Sequence, residues 1–146
     1  MAYKRPESVL VVLFDKHHQV LIMQRDDDPT FWQSVTGTIE ANETPKAAAY
    51  REVREETGLV LSDATTPLTD CHMTNRFEIR PQWRYRYPPG TRYNTEHVFY
   101  ACVDSTQPLI LTEHTDYAWV SKQDALTRLW SPSSREAVSQ FVPGGI

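Results

Sequence analysis

Hydrophobic positions along the chain fall into short runs separated by polar turns, and the period and length of each run predict the element it forms. Residues 8–14 make a continuous apolar run rich in β-branched side chains, which predicts a strand buried on both faces. The polar stretch from Asp15 to Gln19 interrupts it, and a second strand is predicted over 20–24. Residues 31–37 read as a short strand running into a turn at Gly37, preceded by the acidic loop Asp26-Asp-Asp-Pro29. Thr44 offers a capping hydroxyl and Pro45 suits a first helical position, so a helix is predicted over 46–57 and ended by Gly58. Further strands are predicted over 68–79, 83–87 and 96–103, with Pro88-Pro-Gly90 as a turn and an antiparallel portion of sheet. Helical patterns over 121–130 and 133–141 follow, before Pro143-Gly-Gly145.

At 146 residues this alternation fits one domain, 1–146, with a core large enough to need no staples. The formal net charge of −4 argues against a nucleic-acid polymer as partner, because phosphate backbones are held by clustered Lys and Arg. An acidic protein can still hold a polyphosphate through a divalent cation. The apolar run from Val9 to Phe14 is too short to span a membrane and lacks a signal-peptide cleavage pattern, so a cytoplasmic protein is expected. Cys71 and Cys102 lie in strand-like runs and are expected to be buried free thiols. The five histidines show no zinc-type spacing.

The chemistry concentrates on the helix predicted over 46–57. Glu52, Glu55 and Glu56 stand at i, i+3 and i+4, which crowds three carboxylates onto one face at a cost of a few tenths of a kcal/mol per pair. A hard cation relieves such crowding, and Mg²⁺ takes oxygen ligands of this kind, with Mn²⁺ as a possible substitute. Ala48, one turn earlier, leaves the approach open, while Ala49, Tyr50 and Val53 are expected to face the core. Arg51 is suited to a bidentate fork on Glu43 or on a helix glutamate.

Gly37, Glu43, Arg51, Glu52, Val53, Glu55, Glu56, Gly58 and Leu59 satisfy the pattern G-x5-E-x7-R-E-U-x-E-E-x-G-U without a mismatch, U being aliphatic. Average residue usage puts a chance match on the order of one in ten million, which turns a solvated acidic face from the default reading into a remote one. The pattern is that of the Nudix hydrolases, and the chain is identified by it as a member. The resemblance implies an α/β fold, a Nudix-type α/β/α sandwich with a mixed β-sheet, and metal-dependent cleavage of a phosphoanhydride bond. It implies metal ligation by Glu52 and Glu56, with Glu55 as a further ligand or proton acceptor. Bound ions would neutralise phosphate oxygens, orient the anhydride and acidify the attacking water. Glu113, in Leu111-Thr-Glu-His114, is the outside candidate as a third ligand or as the base.

Beyond this box the chain resembles, almost end to end, the bacterial enzymes that hydrolyse dihydroneopterin triphosphate in folate synthesis. The matching segments are Tyr3-Lys-Arg-Pro6, Gln24-Arg-Asp-Asp27, Pro29, Phe31-Trp-Gln-Ser-Val-Thr-Gly37, Asn94-Thr-Glu96, Thr112-Glu-His114, Tyr117 with Trp119, and Trp130-Ser131. The resemblance implies substrate contacts at Lys4, Arg25 and Thr36, and a small-molecule triphosphate as partner; a monomer is expected. Trp32, Trp83 and Trp130 are candidates for stacking on a ring, with core packing the stronger expectation for any one of them. Such enzymes carry a substrate-contacting serine where this chain has Leu129; Ser131, Ser133 and Ser134 are candidates to replace it. Within the same chemistry the alternative substrate is a purine nucleoside triphosphate, such as dATP or an oxidised purine nucleotide. A non-catalytic binding module is disfavoured because every glutamate of the box is present.

Overall fold

The computed structural model describes residues 3–112 and 114–144, the side chain of Thr115 excepted. Among these residues one mixed sheet contains β1 (Glu7–Phe14), β2 (Val20–Arg25), β3 (Trp32–Gln33), β4 (Val35–Thr38), β5 (Thr69–Glu78), β6 (Tyr93–Cys102) and β7 (His114–Val120). The helices are α1 (Pro45–Thr57), α2 (Lys122–Arg128) and α3 (Pro132–Phe141). β1 lies at the centre, parallel to β6 along its whole length. Its other edge is shared between β4, which pairs antiparallel with its first half, and β2, which meets Phe14 at its end.

The continuous apolar run of β1 is explained by burial on both faces. Val9, Val11 and Leu13 pack with Ala48, Ala49 and Val53 of α1, while Leu10, Val12 and Phe14 pack with Ala125, Ala137 and Val138 of α2 and α3. The six β1 side chains are at most 4% exposed, and each contributes about 1.5–3 kcal/mol of burial. The result is the α/β/α sandwich with a mixed sheet that the sequence implied.

Several local expectations are corrected. Residues 83–87, read as a strand, lie largely in a 3₁₀ helix, Pro81–Arg86. Pro81 carries no N–H for a ladder and its fixed φ suits a helical first turn, and these outweigh the alternation of aromatic residues with Arg. The stretch over 31–37 divides into β3 and β4, and Gly37 sits within β4 rather than at a turn. β5 covers most of 68–79 but slips register between Asp70 and Thr74, where His72 has φ +52°. β7 is not marked by the hydrophobic pattern, because its order comes from pairing with the distant β2. The cysteines are free, but Cys102 is exposed and Cys71 only half-buried, so the expectation of buried thiols fails. Cys71 lies on the edge strand β5, and Cys102 ends β6 beyond its last residue paired with β5.

Candidate active site

α1 is positioned by strong local signals at both ends. The Thr44 hydroxyl accepts from the Ala47 N–H at 3.1 Å, Pro45 opens the first turn, and Gly58, at φ +79°, donates its N–H to the Arg54 carbonyl at 2.9 Å. The helix packs on β4, and Gly37 shows why a glycine stands there: a Cβ at this position would overlap the Glu52 carboxyl group. Gly37 therefore makes room for a carboxylate lying against backbone, which corrects its expected role in a turn.

Arg51 organises the surrounding acids. Its Nε and Nη2 donate to the two Glu43 oxygens at 2.8 and 2.9 Å, a bidentate fork. Nη1 donates to Glu52 Oε1 at 2.6 Å and to Glu55 Oε2 at 3.1 Å, and Nη2 also donates to the Thr38 carbonyl at 2.9 Å. The Arg51 fork holds the Glu43 carboxyl below its usual range, against an opposing effect of burial, with help from the Glu40 N–H. The carboxylates, led by Glu43, raise the Arg51 guanidinium above its own already high range. Arg51 thus stays cationic and holds three glutamates in register.

The three helix glutamates differ in depth. The Glu55 side chain is 51% exposed and that of Glu52 12%, whereas Glu56 as a whole is 1% exposed. Ala48 is fully buried and does not form an open approach to the acids. The expectation of one accessible carboxylate face is therefore corrected: a 100° helical step turns Glu56 towards the core side while Glu55 faces solvent. Among the described residues no three acidic or histidine side chains converge as a ready metal cage, and Glu113, the proposed outside ligand, lies outside the described residues. The donor set nevertheless suits a hard divalent cation: Glu52 supplies carboxylate oxygen in a cradle kept clear by Gly37, and Glu56 adds a second carboxylate one turn on.

A cleft of about 1330 Å³ opens beside α1, large enough for a fused ring with a triphosphate tail. Lys4, Arg25, Thr36, Arg51, Glu52 and Glu55 all line it, so the structure brings these candidates to one cavity; Glu56 is not among its walls. Arg25 is held by Asp27 through two bonds of 2.9 and 2.7 Å and lies 4.8 Å from the Phe31 ring centre. Phe31 in turn stacks on Trp130 at 4.6 Å. Trp83 and Trp130 line the cleft, whereas Trp32 packs towards the α2/α3 core. Leu129 is 1% exposed in that core and is not part of the cleft wall, while Ser131, Ser133 and Ser134 line it.

The pattern reading missed a second polar group in the same cavity. Asn75, Asn94 and Glu96 line it, with Asn94 3% and Glu96 6% exposed. Period two along β6 puts Asn94 and Glu96 on the face of Val98 and Tyr100, so two polar residues continue an apolar series. That interruption was the available signal.

Residues 4–141 match the NUDIX domain. The chain is 45% identical over 143 residues to the dihydroneopterin triphosphate diphosphatase of Haemophilus influenzae, covering 97% of this chain and 90% of that protein. It is 44% identical over 143 residues to the protein of the same name from Escherichia coli K12, covering 96% of this chain and 94% of that one. The structure is similar to that of the E. coli dihydroneopterin triphosphate pyrophosphohydrolase, with a TM-score of 0.88 and 43% identity over 97% of this chain and 98% of that one.

Proposed function

The chain belongs to the NUDIX family, and from that premise we propose that it hydrolyses dihydroneopterin triphosphate to dihydroneopterin monophosphate and pyrophosphate. The observation that carries this reading is the near full-length identity to two enzymes named for that activity, joined to a single cleft holding both the carboxylate helix and the cationic candidates Lys4 and Arg25. The family depends on divalent metal, and the oxygen donors favour Mg²⁺, with Mn²⁺ able to replace it.

In this reading Lys4 and Arg25 hold the triphosphate tail as cations and Thr36 adds a hydroxyl donor. Arg25 comes pre-oriented by Asp27, so little of its freedom is lost on binding. Glu52 and Glu56, with Glu113, would hold the cation, which would supply neutralisation of phosphate charge and acidification of water. Glu55, the most exposed helix glutamate, accepts the proton of the attacking water, with Glu113 as the other candidate base. Arg51 keeps Glu52 and Glu55 in place through charge-assisted bonds. Water oxygen bonds to phosphorus, the anhydride bond between the first and second phosphates breaks, and pyrophosphate leaves. Among the described residues no helix is long and apolar enough to cross a membrane. The two free thiols support the cytoplasmic location that forms part of this proposal.

The test is the initial rate of pyrophosphate release from dihydroneopterin triphosphate with Mg²⁺ and with EDTA, beside dATP and 8-oxo-dGTP at equal concentration. Fast, EDTA-sensitive release from the pterin is expected. A clear preference for a nucleotide would overturn the substrate while leaving the metal chemistry intact.

A further inference from the structure

Glu96 occupies an expensive position for a carboxylate. It lies on the inward face of β6, where the same series continues as Val98 and Tyr100, and it is 6% exposed. Its hydrogen-bond partners are neutral: Asn75 Nδ2 donates to Oε1 at 3.3 Å, and the Ser133 hydroxyl donates from the start of α3. Among the described residues no Lys, Arg or His forms an ion pair with it. Burial pushes its carboxyl above the usual range, and the bonds from Ser133 and Asn75 offset this only in part. A buried charge answered only by two neutral donors suits a ligand that brings further N–H groups.

The surroundings suit a flat heterocycle. Glu96 lines the same cleft as Glu52 and Glu55. Trp83 and Trp130, 36% and 47% exposed, stand where a planar group fits against both. The Arg80 guanidinium takes that place, 5.2 Å from the Trp83 ring and 4.9 Å from the Trp130 ring. Stacking rings accept any flat heterocycle, so they do not discriminate between bases. Discrimination requires an edge-reading group, and Glu96 is a deeply buried carboxylate of the cleft that, unlike Glu52 with its Arg51 partner, is held by neutral donors.

We propose that Glu96 selects the heterocycle of the substrate, its two oxygens accepting the adjacent ring N–H and exocyclic NH₂ of a 2-amino-4-oxopyrimidine edge. Such an edge presents two parallel donors, as a guanidinium does, and forms a charge-assisted pair with a carboxylate. Pterin and guanine share it. Adenine places a ring acceptor beside its amino group and would set a lone pair against the carboxylate. Asn75 and Ser133 position Glu96 and do not themselves read the edge. This assignment deepens the pterin reading above and rests on it, but its chemistry concerns the edge and not the whole ring.

GTP and ITP differ only in the 2-amino group, which makes them the probes. They are compared as substrates, or as competitive inhibitors of pterin triphosphate turnover where their own turnover is slow. The wild-type enzyme is expected to favour GTP over ITP by about 10–100-fold, the worth of one hydrogen bond to a charged partner. In Glu96→Gln that ratio is expected to collapse towards one, with the KM for the pterin triphosphate rising more than its kcat falls. A wild-type ratio near one, or a variant that weakens GTP and ITP equally, would overturn the assignment. The wild-type ratio needs no variant, so a folding defect cannot mask the answer. Failure of the pterin reading is seen separately, as slow wild-type release from the pterin triphosphate with the GTP/ITP ratio preserved.

Discussion

Replacing Arg51 by methionine removes the cation while keeping an unbranched stem of similar reach. Three hydrogen-bonded acids and the more distant Glu40 then lose a partner, two of them in confined positions: the side chains of Glu43 and Glu52 are 15% and 12% exposed. Breaking a buried ion pair by removing one member costs about 3–5 kcal/mol, and the residual exposure here points to the lower end, about 3 kcal/mol. For a chain of this size 1 kcal/mol moves the midpoint by roughly 2–4 °C, so Arg51→Met is expected to melt about 6–12 °C below wild type. The comparison is made by calorimetry in EDTA, so that no added cation compensates the acids. The gap also depends on pH. Arg51 holds the Glu43 carboxyl below its unfolded value, so this stabilisation is present above the unfolded pKa and disappears as pH falls through the lower folded one. The two proteins should therefore converge in stability at acid pH. A variant within 1 kcal/mol of wild type at neutral pH, or a gap that widens on acidification, would show that the fork does not hold the site together.

Four further outcomes are expected. Gly37→Ala forces the Glu52 carboxyl out of its cradle and should lower kcat on the order of 10²-fold through misplacement of one group, with the fold retained; activity and circular dichroism together check it. Glu52→Gln and Glu56→Gln should each raise the Mg²⁺ concentration needed for half-maximal rate, and undiminished hydrolysis at limiting Mg²⁺ would exclude that residue as a ligand. Burial of Asp15 opposes its charge, but the Ser105 hydroxyl and the Gln19 and His17 N–H groups outweigh this and draw its pKa down. Its contribution is present above the unfolded pKa and lost as pH falls through the folded one, so Asp15→Asn should cost about 1–3 kcal/mol at pH 7 and less at acid pH in denaturant melts. Glu96 has the opposite sign: its raised folded pKa gives stability that is lost as pH rises through it, so Glu96→Gln should gain in melting temperature relative to wild type as pH increases.

The helix Pro45–Thr57 was legible in the sequence because its signals are local. A capping threonine, a proline at the first turn and a left-handed glycine fix its bounds. The apolar run of β1 likewise announced a strand covered on both sides, and with it the layered architecture. Features that depend on partners far along the chain were not legible. β7 exists because β2 offers it an edge, and residues 81–86 coil because Pro81 denies a ladder hydrogen bond. Gly37 carries a meaning that only α1 packed on β4 reveals, since the group needing the space is 15 positions away. The different depths of Glu52, Glu55 and Glu56 are set by which neighbours close over each step of the helix, and spacing alone treats the three as equal. Glu96 reads in the sequence only as the first residue of a predicted strand and the end of the segment Asn94-Thr-Glu96. Tertiary structure buries it between Asn75 and Ser133, contributed by residues 21 positions before it and 37 after it, and the energetic cost of that burial follows from the packing of β5, β6 and α3 together.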